Sequence, residues 1–270
     1  MSIMIKRVIK VNKIKILDEI KEMAYAVGEI QLEHFRKKGI SIERKSSSID
    51  LVTQVDKACE YYIIKRLKEN YDFSILSEEK GIISRKSDYQ WVIDPLDGTT
   101  NYANGYPIFS VSIALMKGDD TILGVVYVPI LDEMYTAIQD EGAFLNNQRM
   151  SVSRKSDLNQ CLIGTGFPYD RSTNEANNIN YFSYFTPKLR GIRRSGSAAF
   201  DLVNVANGIL DGFWEINLSL WDIAAARLMI IESGGIVKRL ENKRGFSIIA
   251  GNEAIVETLN TGIERVDKND

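Results

Sequence analysis

The sequence predicts an α+β protein of two unlike halves. An N-terminal antiparallel sheet faces two helices, and a C-terminal α/β subdomain follows, with a boundary near residue 150 (1–150 and 151–270). Three observations predict it. Apolar residues recur at helical spacing in two long segments before residue 71. Short apolar runs separated by turn residues then succeed one another from residue 73 to 138. Beyond residue 160, helix-like and strand-like segments alternate, as in layered α/β units.

The first helix is expected over about 14–38, with Ile16, Ile20, Met23, Ala24, Val27 and Ile30 on one face and Gly39 as its stop. A polar loop, KSSSIDLVTQVD, leads to a second helix over about 56–70, where Asp56 stands near the N-terminus. Strands follow at 73–76, 90–93, 109–116, 122–128 and 134–138, with turns at Gly118–Asp120 and Pro129–Asp132. In the second half a strand at Cys161–Thr165 precedes the polar loop PYDRSTNEANN and a helix over about 175–188. A helix starting at Ser197 ends at Gly208, and a strand covers 210–216. A helix from about 222 ends at Gly234-Gly235, and a strand at 248–251 precedes a last helix from Asn252.

Bulk composition narrows the chemistry. The chain has 270 residues, 44% hydrophobic and 26% charged, which suits a soluble globular protein with a sizeable core. A net charge of −2 gives no reason to expect nucleic acid as a partner. No apolar run reaches membrane-spanning length, and MSIMIKRVIKVNKIKIL lacks the unbroken apolar core of a signal peptide, so a cytoplasmic protein without membrane contact is expected. The two cysteines, Cys59 and Cys161, are too few for a disulfide framework and suit a reducing compartment. The single histidine, His34, lies far from the acidic segments, which argues against a Ser-His-Asp triad, a Cys-His pair or a histidine-rich zinc site. Carboxylates, hydroxyls, lysine or a bound ion must carry the chemistry.

The segment Trp91–Asn101, WVIDPLDGTTN, is the most informative stretch. A strand delivers Asp94 and Asp97 into a tight, hydroxyl-rich turn, an arrangement suited to a divalent metal beside a phosphate. Asp97-Gly98 alone also fits a plain turn. Glu78 and Glu79 stand at the end of an apolar strand, while Asp56 and Asp222 each open a helix, where they also fit simple caps. Together these acids occupy the ends of buried elements, where uncompensated negative charge is costly and divalent cations resolve the cost.

The order of the acids after FSIL, then DPLDGTTN, then WDIAAA resembles the inositol monophosphatase family, the lithium-sensitive, magnesium-dependent sugar phosphatases. The resemblance runs from Lys45 through TGFPYD (165–170), GIRRSGSAA (191–199) and WEINLSLWD (214–222) to the final helices. Ser77 is a departure, since many members carry glycine before the Glu-Glu pair. The resemblance implies a layered α-β-α-β-α sugar-phosphatase fold, two to three Mg2+ ions and a homodimer. It places Glu78, Asp94 and the Leu96 carbonyl on one ion, and Asp94, Asp97 and Asp222 on a second, with Glu78 aiding a third. Magnesium takes oxygen ligands and keeps several waters, which such a partly open site allows.

It further implies that Thr99 orients the attacking water while Asp56 accepts from Thr99, with Glu78 completing the catalytic set. The N–H groups of Gly98 and Thr99 would meet the phosphate. Glu215, Gly196, Ser197, Ala198, Asp97 and Asp222 would face the sugar side, and Lys45 would lie on a loop closing over the third metal. No covalent intermediate is needed. Arg193-Arg194 either clamps a second phosphate bidentately or faces solvent as a basic pair. The expected activity is hydrolysis of inositol monophosphate. Fructose 1,6-bisphosphate is the first alternative, ahead of histidinol phosphate and 3′-phosphoadenosine nucleotides. A regulatory binding protein of the same fold is the non-enzymatic reading.

Overall fold

The computed structural model of the chain describes residues 12–37, 42–44, 51–241 and 243–268, with backbone only for 42–44, 51 and 52. Helix α1 (Lys13–His34) is capped by Asn12, whose side chain accepts from the Lys15 N–H. It ends short of the expected residue 38. Phe35 leaves the helical path to pack its ring on Tyr102 and Phe109, with centroids 5.5 and 4.9 Å away, and Arg36 takes a positive φ. Gly39, the expected stop, lies outside the described residues, as does Lys45. A two-stranded ribbon, β1 (Ile42–Arg44) with β2 (Leu51–Thr53), leads into α2 (Gln54–Asn70). Thr53 caps α2 and Asp56 closes the capping box from the helix's third residue, so Asp56 sits inside the first turn.

The first half then builds a sheet from β3 (Ser74–Ser77), β4 (Gly81–Ile83), β5 (Tyr89–Asp97), β6 (Ser110–Lys117), β7 (Asp120–Val128), β8 (Glu133–Ile138), β9 (Gly142–Leu145) and β10 (Gln148–Arg149). Its order is β10-β9-β8-β7-β6-β5-β3-β4. All neighbours are antiparallel except β3 and β5, which run parallel. The sheet is therefore mixed, not purely antiparallel. Strands β4, β9 and β10 are too short to carry a periodic signal.

The largest difference from the sequence reading concerns the central motif. The strand does not stop at Ile93; β5 continues to Asp97 through a register shift between Asp94 and Asp97. Pro95, which has no N–H to offer the ladder, falls inside this bulge. DPLD is a bulged strand, and the turn is Gly98 alone, at φ 93°. A short helix, α3 (Thr99–Ala103), follows at once.

The second half holds β11 (Leu162–Thr165), α4 (Ile179–Phe185), β12 (Gly191–Arg193), α5 (Ala198–Ala206), β13 (Gly212–Leu218), α6 (Leu220–Glu232), β14 (Ile236–Arg239), β15 (Phe246–Gly251) and α7 (Glu253–Asp267). The strands form a five-stranded sheet in the order β12-β11-β13-β15-β14. Helix α4 starts later than residue 175 because Asn178, buried and at φ 75°, is committed to side-chain bonds before it. Helix α6 starts earlier than residue 222, with Asp222 in its first turn accepting from the Ser219 N–H at 2.7 Å.

Three apolar cores set five layers. Helices α1 and α2 cover the outer face of the larger sheet through Ile20, Val27, Ile63, Trp91, Ile93 and Ile113. Helices α5 and α6 lie between the sheets and pack on Val92, Ala114 and Val126 on one side and Phe213 and Ile248 on the other. Helices α4 and α7 cover the far face of the smaller sheet. The order is α-β-α-β-α. Strands β5 and β6 are buried on both faces, which is why they read as unbroken apolar runs. Helix α6 approaches β7 so closely that a Cβ at Gly124 would stand 2.9 Å from the Ala225 Cα.

Candidate active site

A cleft of about 450 Å³ opens where the end of β5 meets the starts of α5 and α6. Glu78, Asp94, Leu96, Asp97, Gly98 and Thr99 line it from the first half. From the second half come residues 165–170, Arg194, Gly196, Ser197, Ala198, Asp201, Glu215 and Asp222, among others. Every described site residue expected from the sequence lines this cleft except Asp56, which lies behind its wall, and Arg193; Lys45 lies outside the described residues.

Asp56 is fully buried. Its Oδ1 accepts from the Thr99 hydroxyl at 2.8 Å, and its Oδ2 from the Thr53 N–H and hydroxyl at 2.8 and 2.5 Å. Burial pushes the Asp56 carboxyl up, and the bonds from Thr53 and Thr99 pull it back toward the charged form. The Thr99 hydroxyl also lies 3.0 Å from the Leu96 carbonyl. It has one proton, so it donates to one of the two and keeps its lone pairs for a third partner.

Asp97 joins the halves. Its Oδ2 accepts from the Ser197 hydroxyl at 2.5 Å and the Ala199 N–H at 2.8 Å, and its Oδ1 accepts from the Ala198 N–H at 3.3 Å. A carboxylate of the first half therefore satisfies the N-terminus of α5, where the helix dipole favours negative charge. Burial still raises its value to about 6, against the opposing pull of Ser197 and Ala199. Asn101 makes a second tie, donating from Nδ2 to the Ile108 and Ser195 carbonyls, each at 2.8 Å.

Asp94 is held well above the usual carboxylate range by burial, then by the charges of Glu78, Asp97 and Asp222. Its Oδ1 accepts from the Leu96 N–H at 3.0 Å across the bulge. The donor set is all oxygen: several carboxylates and one carbonyl, crowded enough to oppose one another's ionisation. That chemistry fits a hard divalent cation. Among the described residues, no three His, Cys, Asp or Glu side chains close into a ready-made cage.

The sugar-facing wall is built by packing. A Cβ at Gly166 would fall 2.1 Å from Glu215 Oε1, so only glycine leaves room for this carboxylate. Behind it, Asn178 donates to the Thr165 hydroxyl at 2.9 Å and the Gly166 carbonyl at 2.5 Å, and accepts from the Trp214 Nε1–H at 2.7 Å. Burial, then Asp222, pushes Glu215 well up, and Arg194 pulls it down.

The two arginines part. Both are exposed, but Arg194 lines the cleft, whereas Arg193 turns Nη1 to the Ile192 carbonyl and lies outside the lining. Of this pair, read from the sequence as either a clamp or a solvent-facing basic pair, only Arg194 is placed along the cleft, since successive residues of an extended chain point to opposite sides. Asp201, buried in the cleft wall, was not foreseen. Burial raises it to about 7, against bonds from Ser195. Inside SAAFDLVNVANG it reads as an ordinary helix acid. Gly166 and Asn178 were missed too; TGFPYD contains the first, and nothing in the sequence pointed to the second.

A sequence profile of the inositol monophosphatase family matches residues 13–266. The chain belongs to the inositol monophosphatase family. It is 39% identical to an inositol-1-monophosphatase of Mesorhizobium japonicum, over 80% of this chain and 84% of that one. It is 38% identical to a fructose-1,6-bisphosphatase/inositol-1-monophosphatase of Aquifex aeolicus, over 90% and 93%. The crystal structure of extragenic suppressor protein suhB from Bartonella henselae superposes with a TM-score of 0.86 at 36% identity, covering 92% of this chain and 98% of that one. The layered architecture is thus that of the inositol monophosphatase family. No described helix is long and apolar enough to cross a membrane.

Proposed function

We propose that this chain is a magnesium-dependent phosphate monoester hydrolase whose substrate is inositol monophosphate. The observation that carries the reading is the convergence on one cleft of Glu78, Asp94, Asp97 and Asp222 with a threonine hydroxyl bonded to a buried aspartate. In this reading Glu78, Asp94, Asp97, Asp222 and the Leu96 carbonyl hold two to three Mg2+ ions. When bound, the ions supply the Lewis acidity that makes water a nucleophile near neutral pH and offset charge on the phosphate.

The chain's own groups do the rest. Thr99 donates to Asp56 and presents its lone pairs to a water proton, which orients the water for in-line attack. Gly98 lets the backbone come close to the phosphate. Glu215, Arg194 and the start of α5 face the leaving group. Residues 1–150 then carry most metal-facing acids and 151–270 the sugar pocket. Cytoplasmic location, lithium sensitivity and a homodimer belong to the same reading.

A second reading is hydrolysis of fructose 1,6-bisphosphate, favoured by Arg194 in the cleft and by the dual name of the Aquifex relative. The test is phosphate release with magnesium from inositol monophosphate, fructose 1,6-bisphosphate, histidinol phosphate and a 3′-phosphoadenosine nucleotide. Wild type is compared with Arg193→Ala and Arg194→Ala. Inositol monophosphate is expected to be the best substrate, and loss on the bisphosphate alone in Arg194→Ala would support the second reading. Silence on all four, or activity indifferent to Asp97→Ala, would sink the hydrolase reading and leave a regulatory binding protein.

A further inference from the structure

Glu60 is an acid that the chemistry above does not use. It lies on α2, 1% exposed, one helical turn after Asp56 and on the same buried face. Its Oε1 accepts two hydrogen bonds, from the Ser77 hydroxyl and from the Lys80 N–H, the latter at 2.9 Å. These donors bracket the turn Glu78-Glu79-Lys80 that joins β3 to β4. Ser77 pairs with Gly81 across that hairpin, and the Glu78 N–H donates to the Ile93 carbonyl, one residue before Asp94. The turn carrying Glu78 is therefore held from below by a carboxylate and from the side by β5.

We propose that Glu60, with Ser77 as its donor, is a positioning residue that fixes the Glu78 turn for the bound cation. This rests on Glu78 being a metal ligand. One rigid helix carries both devices. Asp56 orients Thr99, and Glu60, about 6 Å further along the axis, orients the turn. The distance between the water-orienting hydroxyl and the cation-facing carboxylate is thereby set by one turn of α2. A buried carboxylate suits the task because charge-assisted bonds are shorter and stronger than neutral ones. Two donors on the same oxygen fix the turn at both ends. Ser77 supplies a donor that glycine at that position would lack.

The test is titration of the full-length, metal-free protein with Mg2+ by calorimetry, for wild type, Glu60→Ala, Glu60→Gln, Ser77→Ala and Glu78→Gln. Apparent Tm in chelator and KM and kcat at saturating Mg2+ are recorded alongside. Glu60→Ala is expected to lose about 10–100-fold in Mg2+ affinity, the usual effect of removing a group that orients a ligand, with KM little changed. Glu60→Gln keeps an acceptor oxygen and is expected to restore affinity to within a few-fold of wild type. Ser77→Ala is expected to fall between them. A lowered Tm with wild-type Mg2+ affinity in Glu60→Ala would overturn the proposal, since Glu60 would then only hold the fold. If Glu60→Ala fails to fold, Ser77→Ala decides: wild-type affinity there overturns it and a several-fold loss supports it. Glu78→Gln separates the premise from the inference. Unchanged affinity in Glu78→Gln defeats both, whereas a loss there with none in Glu60→Ala or Ser77→Ala defeats only the role of Glu60.

Discussion

The two walls of the cleft are built in different ways. The wall from β5 comes largely from one stretch, Asp94–Thr99, and is held by hydrogen bonds at close range: Leu96 N–H to Asp94, Thr99 hydroxyl to Asp56. The facing wall is gathered from segments around β11, α5, β13 and α6 that are distant in sequence. It keeps its shape by packing, with Gly166 pressed on Glu215 and Asn178 binding Thr165, Gly166 and Trp214 together. A contiguous wall preserves one constellation of charge. A gathered wall depends on contacts between segments distant in sequence, so a change in one segment is felt in another, as at Gly166 and Glu215. Asp97 is the exception, because it belongs to the first wall and caps a helix of the second.

Changing Asp97 strikes both walls at once, so Asp97→Ala has the largest expected effect. Phosphate release should fall to background. Stability should drop by roughly 3 kcal/mol in denaturant melts, as the part-buried Ala198 N–H and the buried Ala199 N–H lose a charged partner. Retained activity would show that the walls are independent after all. Thr99→Ala acts on the first wall only. It should cost about 10²–10⁴ in kcat with KM close to wild type, and lower Tm somewhat as the buried Asp56 loses a donor; a KM effect instead would move Thr99 into binding.

Gly166→Ala probes the second wall. The added methyl would displace the Glu215 carboxylate, and kcat/KM should fall by about 10–100-fold. Inhibition by inorganic phosphate, which needs only the first wall, should be unaltered. The smallest effect concerns Asp201. Burial raises its value from 3.8 to about 7, so the folded state holds the proton more tightly than the unfolded chain. That contribution is complete below about pH 4 and is lost as pH rises through about 7. Metal-free protein should therefore lose thermal stability across this window, and Asp201→Asn should flatten the loss. A wild-type slope in Asp201→Asn would assign the effect to other groups.

The same contrast explains what could be read from the chain before its structure. The first wall was legible because its residues are neighbours in WVIDPLDGTTN, and the helices and long strands because their faces bury continuous apolar stripes. The bulge was not, since proline between two aspartates signals a turn as readily as a broken ladder. Asn178 stood in a run of loop-forming residues that gave no hint of a buried amide at positive φ. Glu60 and Asp201 carry the look of solvent-facing helix acids, and only tertiary packing turns them inward. The parting of Arg193 and Arg194 depends on how β12 ends, a boundary that periodicity does not resolve in three residues.

Helix α6 lies between the sheets and carries Asp222 in its first turn. Its seat is completed on one side by strands made early and on the other by β14 and β15, which follow it in the chain. A polypeptide growing from its N-terminus therefore displays Glu78, Asp94 and Asp97 long before the helix that bears Asp222 has both its neighbours. If these acids hold the ions as proposed, ion capture at the complete cluster would be an event near the end of synthesis, and a chain truncated before β15 should bind Mg2+ there far more weakly than the whole chain.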